Sequence, residues 1–150
     1  MYWTDSGNPG AANGTIMKWL PGNRFIPSGV VPIANSQGGP FGIAMSPDGA
    51  GPFWTNYDTG TVELAGAPQP VAQGVAHPRD IVVDGAYNSG SGVVYFTDFA
   101  TPGTVWYVKN NQRCALSTGE TVAQGLAVDG TYVYWTNFVG SGVVRRARKL

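Results

Sequence analysis

The residues that could carry chemistry are few, and their types exclude most of it. His77 is the only histidine, so a serine–histidine–carboxylate relay would have to run through it, and no nucleophile-elbow pattern accompanies it. His77 precedes Pro78, a pairing that reads as a turn leading into a strand. Cys114, the single cysteine, excludes an intrachain disulfide and a multi-cysteine zinc site, and reads as a small packing residue. The chain carries no zinc-protease helix motif, no phosphate-binding glycine loop ahead of a helix and no calcium-loop pattern. Gly90-Ser91-Gly92 is loop composition. No cofactor and no metal are expected.

Charge narrows the field further. Nine basic residues balance nine acidic ones, which gives no global field for nucleic acid or an anionic membrane. Arg145, Arg146, Arg148 and Lys149 fall within the last six residues, leaving five basic residues against nine acidic ones before them. A short cluster without interleaved aromatics is the solvent face of a terminal strand rather than a nucleic-acid patch. No stretch approaches a transmembrane helix in length, and the first residues lack the basic-then-apolar pattern of a signal peptide. An upstream segment could have carried one, since a repeat motif follows Met1 at once.

The elements that must position any site are set by an internal repeat. An aromatic pair followed by Thr and Asp or Asn occurs four times: Tyr2-Trp3-Thr4-Asp5, Phe53-Trp54-Thr55-Asn56, Tyr95-Phe96-Thr97-Asp98 and Tyr134-Trp135-Thr136-Asn137. The second aromatics lie 51, 42 and 39 residues apart. Each motif leads through a turn ending in Gly to a β-branched run, at Gly14-Thr15-Ile16, Gly60-Thr61-Val62, Gly103-Thr104-Val105 and Gly142-Val143-Val144. Asn, Asp and Gly tolerate the positive φ that tight turns need. Ahead of the last three motifs lies an apolar run closed by Asp-Gly: Gly42-Ile43-Ala44-Met45 with Asp48-Gly49, Asp80-Ile81-Val82-Val83 with Asp84-Gly85, and Gly125-Leu126-Ala127-Val128 with Asp129-Gly130. A further element, at Pro32-Ile33-Ala34, Val71-Ala72-Gln73-Gly74 and Val122-Ala123-Gln124-Gly125, completes the unit.

Four short strands per repeat of about 40 residues describe a β-propeller blade. With 22 glycines, 11 prolines and only 12% charged residues, the whole chain reads as all-β. It forms one partial or open propeller of about three and a half four-stranded antiparallel blades, in pieces at approximately 1–36, 37–75, 76–124 and 125–150. The second strand supplies the large aromatics between blades. Asp84 and Tyr95 are eleven residues apart, where Asp48 to Phe53 and Asp129 to Tyr134 are five, so Ala86 to Gly92 forms an extra surface loop. Val71 to Asp84 spans thirteen residues but Val122 to Asp129 only seven, which predicts an irregular last blade. Asp5, Asp84, Asp98 and Asp129 recur at equivalent places, as residues that bond turns and strand ends do.

These motifs, with His77-Pro78-Arg79-Asp80-Ile81-Val82-Val83-Asp84 leading into the third of them, resemble the YWTD repeats of low-density-lipoprotein-receptor-type propellers. Bacterial NHL and TolB-like propellers are similar. The resemblance implies a six-bladed parent fold of about 240 residues, a secreted or periplasmic setting, and little about function. An open arc leaves blade faces uncovered and prone to self-association.

Loops joining second to third strands and outer to inner strands share one propeller face. That places Asn56, Tyr57, Asp58, Asp98, Phe99, Asn137 and Phe138 near His77 and Arg79, a set suited to binding a protein, peptide or carbohydrate. A non-enzymatic interaction module is the favoured reading. The alternative is a piece of a hydrolase or lyase, resembling gluconolactonase or streptogramin lyase, with an axial metal.

Overall fold

The computed structural model describes residues 1–24 and 27–150, so the first blade piece contains two residues outside the description. The described residues form strands and turns without a helix, in four antiparallel sheets. The first holds β1 (Tyr2–Asp5), β2 (Gly14–Leu20) and β3 (Gly29–Gln37). The second holds β4 (Pro40–Met45), β5 (Pro52–Asn56) and β6 (Thr61–Leu64). The third is a complete four-stranded blade of β7 (Pro78–Asp84), β8 (Val93–Asp98), β9 (Gly103–Lys109) and β10 (Gln112–Glu120). The last holds β11 (Ala123–Val128), β12 (Tyr132–Asn137) and β13 (Val143–Arg148). The chain is a partial β-propeller.

Two outer strands depart from expectation. In the second blade the outer element shrinks to an isolated bridge between Val62 and Ala72. In the third it lies earlier than the sequence suggested: β10 is the outer strand, while Ala123 opens the inner strand of the next blade. Positive φ at Gly119 and Val122 turns the chain between them. The last blade is not irregular in its inner hairpin. Ala123 pairs with Asn137 and Leu126 with Trp135, the same skipped register as Pro40 with Asn56 and Ile43 with Trp54, and as Pro78 with Asp98 and Ile81 with Phe96.

The skip is a β-bulge, and the motif threonine holds it. Thr55 Oγ1 accepts from Gly42 N at 2.9 Å, Thr97 Oγ1 from Asp80 N at 3.0 Å and Thr136 Oγ1 from Gly125 N at 3.0 Å. A hydroxyl that accepts can also donate, and in the first three blades the motif threonine donates across the blade interface. Thr4 reaches the Phe41 carbonyl at 2.9 Å, Thr55 that of Arg79 at 2.7 Å and Thr97 that of Gln124 at 2.7 Å. Each blade is thus tied to the inner strand of the next. The approach is close: a Cβ added at Gly42 would stand 2.4 Å from the Arg79 carbonyl oxygen.

Strand alternation sorts the two aromatics of each motif. Phe53 packs with Ile81, Val83 and Phe96 between the second and third blades. Tyr95 packs with Val133 between the third and fourth, where Trp135 also meets Val105. The first aromatic therefore faces the following blade and the second the preceding one. Position matters more than residue type: Val62 and Val105 are fully buried, while the equivalent Val144, on the outward face of the last blade, is 71% exposed.

Other elements refine the expectations. The extra loop is more than surface decoration, because Tyr87 covers Phe53 edge to face, with ring centroids 4.8 Å apart, and Asn88 N donates to Asp48 Oδ2 at 2.8 Å. Asp5, Asp98 and Asp129 accept backbone N–H groups as expected, whereas Asp84 pairs with Lys149 Nζ at 2.8 Å. Cys114 is exposed rather than packed, since it lies on the outer strand β10. The terminal Arg145, Arg146 and Arg148 are exposed on β13.

Candidate binding face at the propeller axis

The bulges aim Phe41, Arg79 and Gln124, one from each of three successive inner strands, toward a shared axial cleft. Arg79 lies between two phenylalanines, its guanidinium carbon 4.6 Å from the centre of the Phe41 ring and 4.3 Å from that of Phe99. Beside it, the exposed His77 ring stacks on Tyr57 with centroids 4.6 Å apart and planes 17° from parallel. The Tyr57 ring also lies 6.4 Å from Phe41 and 6.2 Å from Phe99. Backbone bonds fix these positions, with Tyr57 N donating to Gly39 O at 2.9 Å and Phe99 N to His77 O at 2.8 Å.

Phe41, Tyr57, Asp58 and Arg79 wall an open cavity of about 350 Å³, with Pro9 contributed by the first blade. Asp58 is exposed, and its Oδ2 accepts from Gly10 N at 3.1 Å. The guanidinium of Arg79 has no carboxylate within 4.0 Å among the described residues, whose ion pairs join Arg145 to Glu120 and Lys149 to Asp84. The cavity therefore presents a cation set against aromatic rings and one carboxylate on its wall.

Of the nine residues named from sequence, Tyr57, Asp58, His77, Arg79 and Phe99 come together here. Asn56, Asp98 and Asn137 do not reach the surface. They are 3%, 7% and 5% exposed, because the residue that ends the second strand turns inward to bond what lies beneath. Asn56 Nδ2 donates to Gln37 Oε1 and Thr61 Oγ1, Asp98 Oδ1 accepts from His77 N, and Asn137 Nδ2 donates to Glu120 Oε2. Phe138 occupies the position of Tyr57 and Phe99 in the last blade but is 71% exposed and meets no other ring among the described residues. Phe41 was missed. Its signal was the match of Pro40-Phe41-Gly42 to Pro78-Arg79-Asp80 at the start of successive inner strands.

Asp80, adjacent to the cleft, serves the fold. Its Oδ1 accepts from Ile81 N at 3.0 Å and its Oδ2 from Leu126 N of the next blade at 2.6 Å. Among the described residues no three of His, Cys, Asp and Glu gather as a metal-holding group, and no helix is long and apolar enough to cross a membrane.

No family model and no curated protein matches the chain. Among solved structures it is similar to a chain of the crystal structure of the nidogen/laminin complex, with a TM-score of 0.67 and 19% sequence identity. The match covers 92% of this chain and 56% of that one, so the chain spans little more than half of that neighbour's length. At this identity the likeness is one of fold, and it supports the partial β-propeller.

Proposed function

We propose that the chain is a non-enzymatic interaction module, an arc of a six-bladed YWTD-type propeller whose loop face binds a protein, peptide or carbohydrate. The observation that carries this reading is the cluster of Phe41, Tyr57, His77, Arg79 and Phe99 around an open axial cavity. Aromatic rings with an arginine are the side chains that dominate binding energy at protein interfaces. Rings already stacked lose little freedom when a ligand covers them. The structural neighbour comes from a complex of nidogen with laminin, which favours a protein among the possible partners.

The test is a screen of the purified chain against peptide and glycan arrays, followed by Tyr57→Ala and Phe99→Ala on whatever binds. Loss of at least tenfold in affinity with either variant, at unchanged thermal stability, supports the loop face. Binding untouched by both variants would move the interface elsewhere.

A further inference from the structure

The cavity at Arg79 has a chemistry narrower than that of a general binding face. The guanidinium carbon lies over two aromatic rings, 4.6 Å from the centre of Phe41 and 4.3 Å from that of Phe99. Contact with the rings uses the cation's charge and not its N–H groups, which stay open as the route to a partner. No carboxylate of the described residues approaches it within ion-pair distance. Unlike Arg145, which lies 3.6 Å from Glu120, Arg79 is held in position with its charge unanswered.

A fork of edge N–H donors matches the two oxygens of a carboxylate, with two parallel hydrogen bonds. A phosphate would match the fork too, but Asp58 stands on the same cavity wall, and its negative charge opposes a dianion more than a monoanion. Asp58 also has work for a donor. Its Oδ2 accepts from Gly10 N, while no described residue donates to its Oδ1. A peptide segment carrying an acidic side chain offers both halves at once, a carboxylate for Arg79 and a neighbouring backbone N–H for Asp58. Phe41 and Tyr57 supply the apolar wall beside it.

Resting on the loop-face reading above, we infer that the axial cavity takes the side-chain carboxylate of an aspartate or glutamate in a protein partner, clamped by Arg79 and oriented by Asp58. The experiment is an amide-resolved NMR titration of the isotope-labelled chain with acetyl-Gly-Asp-Gly-amide, with its Asn counterpart, and with glucuronate as a sugar acid. The expected result is that the Asp peptide shifts the amides of Tyr57, Asp58 and Arg79, and that the Asn peptide binds at least tenfold more weakly. Arg79→Gln abolishes the difference, and Arg79→Lys retains part of it, as a charge without a fork.

Equal binding of the Asp and Asn peptides overturns the inference, as does glucuronate binding as tightly as the Asp peptide. If Arg79→Gln fails to fold, the Asp-to-Asn comparison on the unsubstituted chain decides alone. An array ligand that depends on Tyr57 but ignores Arg79→Gln sinks the carboxylate and leaves the loop face standing. A ligand that ignores both Tyr57 and Phe99 sinks the loop face itself.

Discussion

Asn137 donates to Glu120 at 2.5 Å across the boundary between the third and fourth blades, and the contact repeats the one that Asn56 makes with Gln37 at 2.9 Å two blades earlier. In both cases the last residue of an outer strand fastens the second strand of the next blade. Glu120 does so as a buried charge, and it also accepts from Ser117 Oγ and faces Arg145. Burial by itself would push its carboxyl up, but the hydrogen bonds from Ser117 and Asn137, with the nearby Arg145, outweigh it and hold the group below its ordinary value.

A depressed folded value means that the unfolded chain binds the proton more readily. The contribution of Glu120 to stability is therefore present above its ordinary value of about 4.5 and lost as pH falls through the lower, folded one. Glu120→Gln should fold, as Gln37 does the same task, at a cost of about 1–2 kcal/mol. It should also weaken the acid-dependent fall in stability. Urea unfolding at pH 7 and pH 3 for both chains checks this; an identical pH difference in the two would contradict the placement of the charge.

The threonine ties predict an asymmetry between equivalent positions. Thr97→Val removes a fully buried hydroxyl that both accepts from Asp80 N and donates to Gln124 O, leaving two groups unsatisfied at about 1–3 kcal/mol each. Thr136 accepts from Gly125 N but is exposed, so Thr136→Val should cost about 1 kcal/mol or less. Equal losses in denaturant midpoint would mean that the cross-blade donation contributes nothing.

Much of this architecture was legible in the sequence because the repeat forces equivalent residues into equivalent environments. Tyr95 and Phe96 are buried for the same reason as Phe53 and Trp54, on opposite faces of one strand. The site was less legible. Asn56, Asp98 and Asn137 sit beside loop residues in sequence but point inward, and neighbourhood along the chain does not reveal which way a strand-ending side chain turns. Phe41 lies outside the motif loops and reaches the cavity only through the bulge at Gly42. The outer strands were hardest, because β10 carries bulges between Ala115 and Ser117 and between Thr118 and Glu120 that break the alternation by which a strand is recognised.

Asp129 offers a local titration. Its Oδ2 accepts from the Tyr134 hydroxyl at 2.7 Å, and its Oδ1 from the N–H groups of Thr131 and Tyr132. Led by the Tyr134 bond, these lower the carboxyl to about 2. Tyr134→Phe should raise the midpoint while leaving it below the ordinary 3.8, as both backbone donors remain. Carboxyl carbon shifts followed by NMR between pH 1.5 and pH 6 read both midpoints directly; an unchanged midpoint in the variant would remove Tyr134 from the turn.

The outward face of the last blade gives the remaining expectation. Val144 stands where Val62 and Val105 are wholly covered by the following blade, and Tyr134, whose counterparts Phe53 and Tyr95 are wholly buried, is only partly covered. Apolar surface of this kind is favourable to cover, at about 25 cal/mol per Å², so the chain should self-associate as its concentration rises. Val144→Lys places a charge at the centre of that face and should leave the monomer's stability within about 0.5 kcal/mol of the original, whereas Trp135→Ala, buried against the third blade, should cost about 3–5 kcal/mol. Light scattering across a concentration series decides: a mass that grows with concentration in the original chain and stays at the monomer value in Val144→Lys locates the association on this face, and growth that the substitution does not slow would locate it on the exposed strands of the first blade.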